Sequence, residues 1–128
     1  MGAVELTEAT FEQTIEGNSL VLIDFWAPWC GPCRNFAPVF EAASARHADA
    51  VFAKVNTDVE QRLAALFEIQ SIPTLAIFRD RICVFAQPGA LPAQHLEEII
   101  QRVKALDMDE VRRRIAEHEA NGAAEESD

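Results

Sequence analysis

Leu20-Val21-Leu22-Ile23-Asp24-Phe25-Trp26-Ala27-Pro28-Trp29-Cys30-Gly31-Pro32-Cys33 is the stretch that decides how the rest of the chain is read. Seven of its first eight residues are apolar. A short run of that kind, rich in β-branched and aromatic side chains, suits a strand covered on both faces, as in a parallel sheet. Asp24 is the single exception. The residues after Ala27 form a turn that opens into a helix, with Phe36, Val39, Phe40 and Ala43 on it and an end near Arg46. Pro38 lies inside that helix, where its ring removes a backbone donor and predicts a kink. Cys30 and Cys33 therefore fall where a buried strand hands over to a helix.

Outward from this stretch, the chain alternates helices and strands. Residues 7–16 read as a helix with Thr7 as N-cap and Phe11 and Ile15 on one face, broken by Gly17-Asn18-Ser19. Val4-Glu5-Leu6 offers a short extra strand. Val51–Asn56 is a second buried strand. Asp58, with Gln61 in capping-box position, predicts a further helix with Val59, Leu63, Leu66 and Phe67 on its apolar face. Ser71-Ile72-Pro73-Thr74 leads into the strand Leu75–Phe78, and Ile82–Phe85 returns as its hairpin partner across Arg79-Asp80-Arg81. Pro88-Gly89 ends that strand, and Pro92 begins a helix with Leu96, Ile99, Ile100, Val103 and Leu106 on one face. The order implies an α/β domain with βαβ crossovers on a central mixed sheet.

The 128 residues, of which 49% are hydrophobic and 25% charged, suit one soluble globular domain. No apolar run reaches the ~18 residues of a membrane span. Met1-Gly2-Ala3-Val4-Glu5 has neither the basic nor the apolar region of a secretory signal, so a cytoplasmic location is expected. The net charge is −10, which argues against a nucleic-acid or anionic-membrane surface. Half of that charge lies in residues 107–128, which reads as an appendage to a domain spanning 1–106.

Three cysteines, two of them at Cys-x-x-Cys spacing, do not make a disulfide framework. Such a pair is redox-active or metal-binding. A structural zinc site needs two more ligands, and Cys83, His47, His95 and His118 are scattered along the chain, so no metal is expected. The three histidines are expected at the surface. Haem attachment needs a His after the second Cys, where Arg34 stands. At a helix N-terminus, free N–H groups and the helix dipole favour a thiolate. Cys30 is thus expected to be the exposed nucleophile and Cys33, one turn further in, the resolving thiol. Asp24, buried in its strand, should have a raised pKa and could take a proton from Cys33 directly or through a water. The alternative is a core carboxylate satisfied by backbone donors or by Lys54.

Asp24 to Cys33 resembles the active-site segment of the thioredoxins. Ile72-Pro73-Thr74 resembles that family's cis-proline loop, and Gly89-Ala90 its groove-bordering glycine. The match is collinear over about residues 4–106 and includes Pro38. The run Arg34-Asn35-Phe36-Ala37-Pro38 looks most like bacterial thioredoxins, some of which carry an N-terminal zinc ribbon; none is expected here. The resemblance implies the thioredoxin fold, with helices on both faces of the sheet. It also implies a protein disulfide reductase in which Cys30 attacks, Cys33 resolves and Asp24 with Lys54 serves as the buried acid–base group. Pro73 would be cis, shaping the groove. Trp29, Gly31, Pro32, Ile72, Gly89 and Ala90 would form the apolar surface that receives a client. The implied partners are disulfide-containing proteins and a separate thioredoxin reductase-type enzyme, with the chain acting as a monomer. No cofactor is expected, because the Rossmann fingerprint is absent.

Several positions depart from the family pattern. The hairpin turn is Asp80-Arg81 where Asn-Gly is common; a left-handed Arg costs of order 1 kcal/mol, so another turn type is expected. Cys83 is extra and is expected to be an inert buried thiol. Ser71 stands where many members have Gly. In the appendage, Asp109 is expected to cap a helix over Glu110–Ala120 with Met108, Val111 and Ile115 on one face, ending at Asn121-Gly122, with 123–128 as a disordered acidic tail. The rival to a reductase is a docking subunit that uses the groove and the appendage, with its thiols incidental.

Overall fold

The computed structural model describes residues 2–126, with side chains through Gly122. Five strands, β1 (Val4–Glu5), β2 (Leu20–Trp26), β3 (Val51–Asn56), β4 (Thr74–Arg79) and β5 (Ile82–Pro88), form one sheet in the order β1-β3-β2-β4-β5. The first three are mutually parallel, and β4 and β5 run antiparallel to their neighbours. The helices are α1 (Glu8–Gly17), α2 (Gly31–Arg46), α3 (Gln61–Leu66), α4 (Ala93–Lys104) and α5 (Met108–Glu126).

Strand alternation builds two cores. Leu20 and Leu22 of β2, Phe52 of β3, and Leu75 and Ile77 of β4 point to one face, where Phe36 and Phe40 of α2 and Leu96 and Ile100 of α4 cover them. Val21, Ile23 and Phe25, Ala53 and Val55, and Ala76 and Phe78 point to the other, under Ile15 of α1 and Leu63 of α3. β2 is central, so its side chains from Leu20 to Phe25 are buried whichever way they point. This is why its sequence reads as a continuous apolar run rather than an alternating one. The same parity assigns Asp24 to the α2/α4 face.

The hairpin turn differs from the sequence expectation. Asp80 and Arg81 both have positive φ, +50° and +72°, as a two-residue type I′ turn requires. The pairing of Arg79 with Ile82 leaves only these two residues to reverse the chain, so the register dictates the left-handed geometry despite its local cost. Ile77 pairs with Phe85 and Phe78 with Cys83, which leaves Val84 as an extra residue in β5. Such a bulge twists an edge strand and discourages pairing with other chains.

Other elements also differ. α3 begins at Gln61 with Glu60 at its cap, so Asp58 is not the capping residue. Leu63 is buried and Phe67 packs on the core, but Leu66 is exposed, because six helical residues present only one short stripe to the sheet, and Val59 is exposed in the turn before the helix. α2 continues through Pro38. Cys83 is exposed on edge strand β5 rather than buried, though partial burial still pushes its thiol pKa up. His47 is buried, not superficial: one ring nitrogen meets Glu97 at 2.7 Å and the other meets Lys104 at 2.7 Å. Those partners lie 50 and 57 residues away, so the far end of α2 is tied to α4 by contacts that no local pattern announces.

The appendage leaves the domain through a defined joint. The Arg79 guanidinium donates to the carbonyls of Val103, Lys104 and Leu106 at 2.7, 3.0 and 2.9 Å, satisfying groups that the end of α4 would otherwise leave unpaired. Asp107, not Asp109, caps α5 by accepting from the amides of Asp109 and Glu110. Met108 is buried, and Arg112 reaches Asp80 at 3.9 Å. α5 passes through Asn121-Gly122 to Glu126; Gly122 does not take the positive φ of a helix-ending glycine. Of the expected disordered tail, residues 123–126 are therefore helical in backbone, and Ser127 and Asp128 lie outside the described residues.

The turn supplies a prediction. Arg81→Gly removes the side chain from a left-handed position and should raise stability by about 1 kcal/mol, read as an increased denaturation midpoint at unchanged slope. A lower midpoint would mean that the Arg81 side chain contributes more than its conformation costs.

Candidate active site

β2 ends at Trp26, and Ala27-Pro28-Trp29 carries the chain across the end of the sheet to α2. Cys30 occupies the N-cap of α2 in extended geometry, and Pro32 sits in the first turn, where a missing amide hydrogen costs nothing. Cys30 and Cys33 form a disulfide with their Cα atoms 5.2 Å apart. The Cys33 amide donates to Cys30 Sγ at 3.1 Å. That amide and the positive end of the helix dipole both face Cys30 Sγ, an arrangement that favours negative charge on a sulfur placed there. Cys30 is not freely exposed as expected: it is 4% accessible, against 2% for Cys33. What distinguishes Cys30 is its place in the wall of an open cleft of about 530 Å³.

The cleft brings Trp29, Gly31, Pro32 and Ile72 of the predicted surface together with the predicted nucleophile Cys30. Thr57, Ala64, Ile69, Gln70 and Ser71 complete it, and the first four carry no local sequence signal for such a site. Cys30 Sγ lies 3.7 Å from the Ile72 carbonyl. The Ile72–Pro73 peptide is cis. Gly89, at φ +108°, donates to the Pro73 carbonyl at 2.8 Å. This holds Gly89 and Ala90 beside the proline loop, though neither lines the cleft itself. Trp29 remains 68% exposed, with its indole Nε1 donating to both carboxylate oxygens of Asp58 at 3.1 Å. Asp58 thus braces the most exposed aromatic at the rim. Its partner is 29 residues away, so the local pattern suggested a helix cap instead.

Asp24 is 0% exposed, and neither carboxylate oxygen has a hydrogen-bond partner among the described residues. The backbone-satisfied alternative therefore does not apply. Lys54 stands opposite in register, with Nζ 4.5 Å from the centre of the Trp26 ring. Burial raises the Asp24 pKa from 3.8 to about 7, against the lowering influence of Lys54. Trp26 Nε1 is buried on the same face without a partner among the described residues. No cluster of three or more His, Cys, Asp or Glu side chains among the described residues could hold a metal ion.

Because the folded-state pKa of Asp24 lies above its unfolded value, its carboxyl is best tolerated below about pH 4. Stability is lost as pH rises from there through about 7, by about 4 kcal/mol in all. Asp24→Asn should abolish most of this decline and stabilise the disulfide form above pH 7. Chemical denaturation between pH 4 and 9 checks it; parallel profiles for the two proteins would contradict it.

Residues 2–102 match the thioredoxin family model. A Streptomyces coelicolor protein named "Putative thioredoxin 2" is 54% identical over 117 residues, covering 91% of this chain and 87% of the relative. Thioredoxin 1 of Synechococcus elongatus is 44% identical over 102 residues, 78% of this chain and 95% of that one. The solved oxidized form of mitochondrial thioredoxin 3 from Saccharomyces cerevisiae superposes with a TM-score of 0.73 at 29% identity, covering 78% of this chain and 94% of that one. With the Cys30–Cys33 disulfide at the start of α2, these likenesses establish the chain as a member of the thioredoxin family, a thiol–disulfide oxidoreductase that reduces protein disulfides.

Proposed function

We propose a division of labour among the site residues for this reductase chemistry. The observation that carries it is the position of Cys30 Sγ, in the cleft wall and at the receiving end of the Cys33 amide. In the reduced protein the Cys30 thiolate attacks one sulfur of a client disulfide. A mixed disulfide forms and one client thiolate leaves. Cys33 passes its proton to Asp24 and attacks Cys30 Sγ, which forms the Cys30–Cys33 disulfide and releases the second client thiolate. Two electrons move from the dithiol to the client. A carboxyl with a pKa of about 7 can accept that proton near neutral pH and return it when the pair is reduced again.

Lys54 moderates the charge of Asp24 from the neighbouring strand. Trp29, Gly31, Pro32 and Ile72 receive the client, with Pro73, Gly89 and Ala90 forming the adjoining border. A separate thioredoxin reductase-type enzyme restores the dithiol. The chain works as a monomer in the cytoplasm. Among the described residues, no helix is long and apolar enough to cross a membrane. The redox domain spans residues 1–106, and 107–128 is an accessory segment.

Cys33→Ser should accumulate a covalent client adduct through Cys30 that dithiothreitol releases, while Cys30→Ser should form none; adducts of equal yield on both variants would reverse the assignment. Deleting residues 107–128 should cost about 1.5–3 kcal/mol through loss of buried Met108 and leave client reduction intact. An inactive 1–106 chain in a disulfide-reduction assay would place the appendage inside the redox domain.

A further inference from the structure

Ile69, Gln70 and Ser71 form a ridge with a hollow on either side. The Cys30 cleft lies on one side, and a second cavity of about 270 Å³ lies on the other; the same three residues line both. The second cavity follows from the architecture. Ala86 pairs with Ala76 and Pro88 with Thr74, so these β5 residues share the sheet face covered by α1 and α3. The apolar cluster on that face draws its strand side chains from β2, β3 and β4, with none from β5. The gap is walled by Phe67, Thr74, Ala86 and Pro88, with Glu68 and Gln87 also on its lining.

Both the ridge and the walls are set before any ligand arrives. The Glu68 amide donates to the Ala65 carbonyl and the Ile69 amide to the Ala64 carbonyl, with Glu68 at φ +53°, which turns the chain sharply out of α3. At the other end, the Thr74 hydroxyl donates to the Ser71 carbonyl at 2.7 Å. That bond occupies the Thr74 hydroxyl. The Phe67 ring is held edge-on to Phe11 and Phe78, at 5.5 and 5.8 Å. Pro88 has no amide hydrogen to offer. The cavity is therefore chiefly apolar, while on the ridge the Gln70 amide and the Ser71 hydroxyl have no protein partner among the described residues.

We infer that this cavity is a client subsite for an apolar side chain near the disulfide being reduced, reached as the client chain crosses the Gln70-Ser71 ridge. The inference rests on the reductase reading above, because the occupant is the same polypeptide whose disulfide lies over Cys30. Continuity of the two hollows through shared residues makes one extended segment the fitting ligand. Glu68 at the rim disfavours an acidic side chain there. Gln70 and Ser71 would meet the client's backbone groups, which an extended segment presents along its length.

The test uses the full chain and a panel of disulfide-linked peptides in which one Leu replaces Ser at successive positions around the reactive cysteine. At one position Leu should raise kcat/KM about tenfold over the Ser parent, the selectivity one apolar pocket supplies. Ala86→Glu, which puts a carboxylate into the cavity, and Ala86→Trp, which fills it, should each reduce that ratio below about twofold. A panel reduced uniformly by the unmodified chain, or a Leu preference that survives both substitutions, overturns the subsite while leaving the reductase reading intact. Failure to reduce any peptide overturns both.

Discussion

Complete burial of β2 is the constraint on which the other features depend. A strand covered on both faces must be apolar, and any charged residue in it must either find a partner or give up its charge. Asp24 has no hydrogen-bonding partner among the described residues and faces Lys54 only across the register of the sheet. Desolvation therefore outweighs attraction, and the carboxyl titrates near neutrality. The same covered strand delivers the chain to the end of the sheet, where α2 starts with a sulfur at its cap. One strand thus sets both the position of the thiol pair and the proton affinity of the carboxyl on the α2 face.

α2 is restrained at both ends by different chemistry. At its start, the Cys33 amide meets Cys30 Sγ; at its far end, His47 lies between Glu97 and Lys104, and Lys104 in turn pairs with Asp49 at 3.0 Å. The hydrogen bond from Lys104 keeps the Asp49 carboxyl below its usual range. His47 also stacks on Phe52, with ring centres 6.4 Å apart, so the polar cluster is anchored on the same core that Phe36 and Phe40 fill. A helix held this way presents its first turn as a fixed platform, which suits a pair of sulfurs that must make and break a bond without rebuilding their surroundings.

Much of this was legible in the sequence where the information is local. The apolar run of β2, the tight cysteine pair and the 3.6-residue periodicity of α4 each depend on neighbours along the chain, and each reads correctly. The buried state of Asp24 follows from the run around it. What escaped depends on distant partners. Asp58 reads as a helix cap until folding brings Trp29 to it. His47 reads as a surface residue until α4 supplies both its partners. Nothing local marks Arg79 as the clasp at the end of α4. At Asp80-Arg81 the local preference is real but overruled, because the register of β4 and β5 leaves room for only a two-residue turn. Asp109 reads as the cap of α5, but the backbone brings the amides of Asp109 and Glu110 to the Asp107 carboxylate instead. The roles read by resemblance to a family, among them those of Pro73, Gly89 and Ala90, have no independent signature in composition or spacing.

Direct titration of the Asp24 carboxyl carbon by NMR in the disulfide form, with Asp24→Asn to assign the resonance, probes the central link between burial and proton transfer. Burial without a hydrogen-bond partner predicts a midpoint near 7. A midpoint near 4, the ordinary value for an aspartate, would show that the carboxyl is solvated or paired and would contradict the proposal that it takes the proton of Cys33.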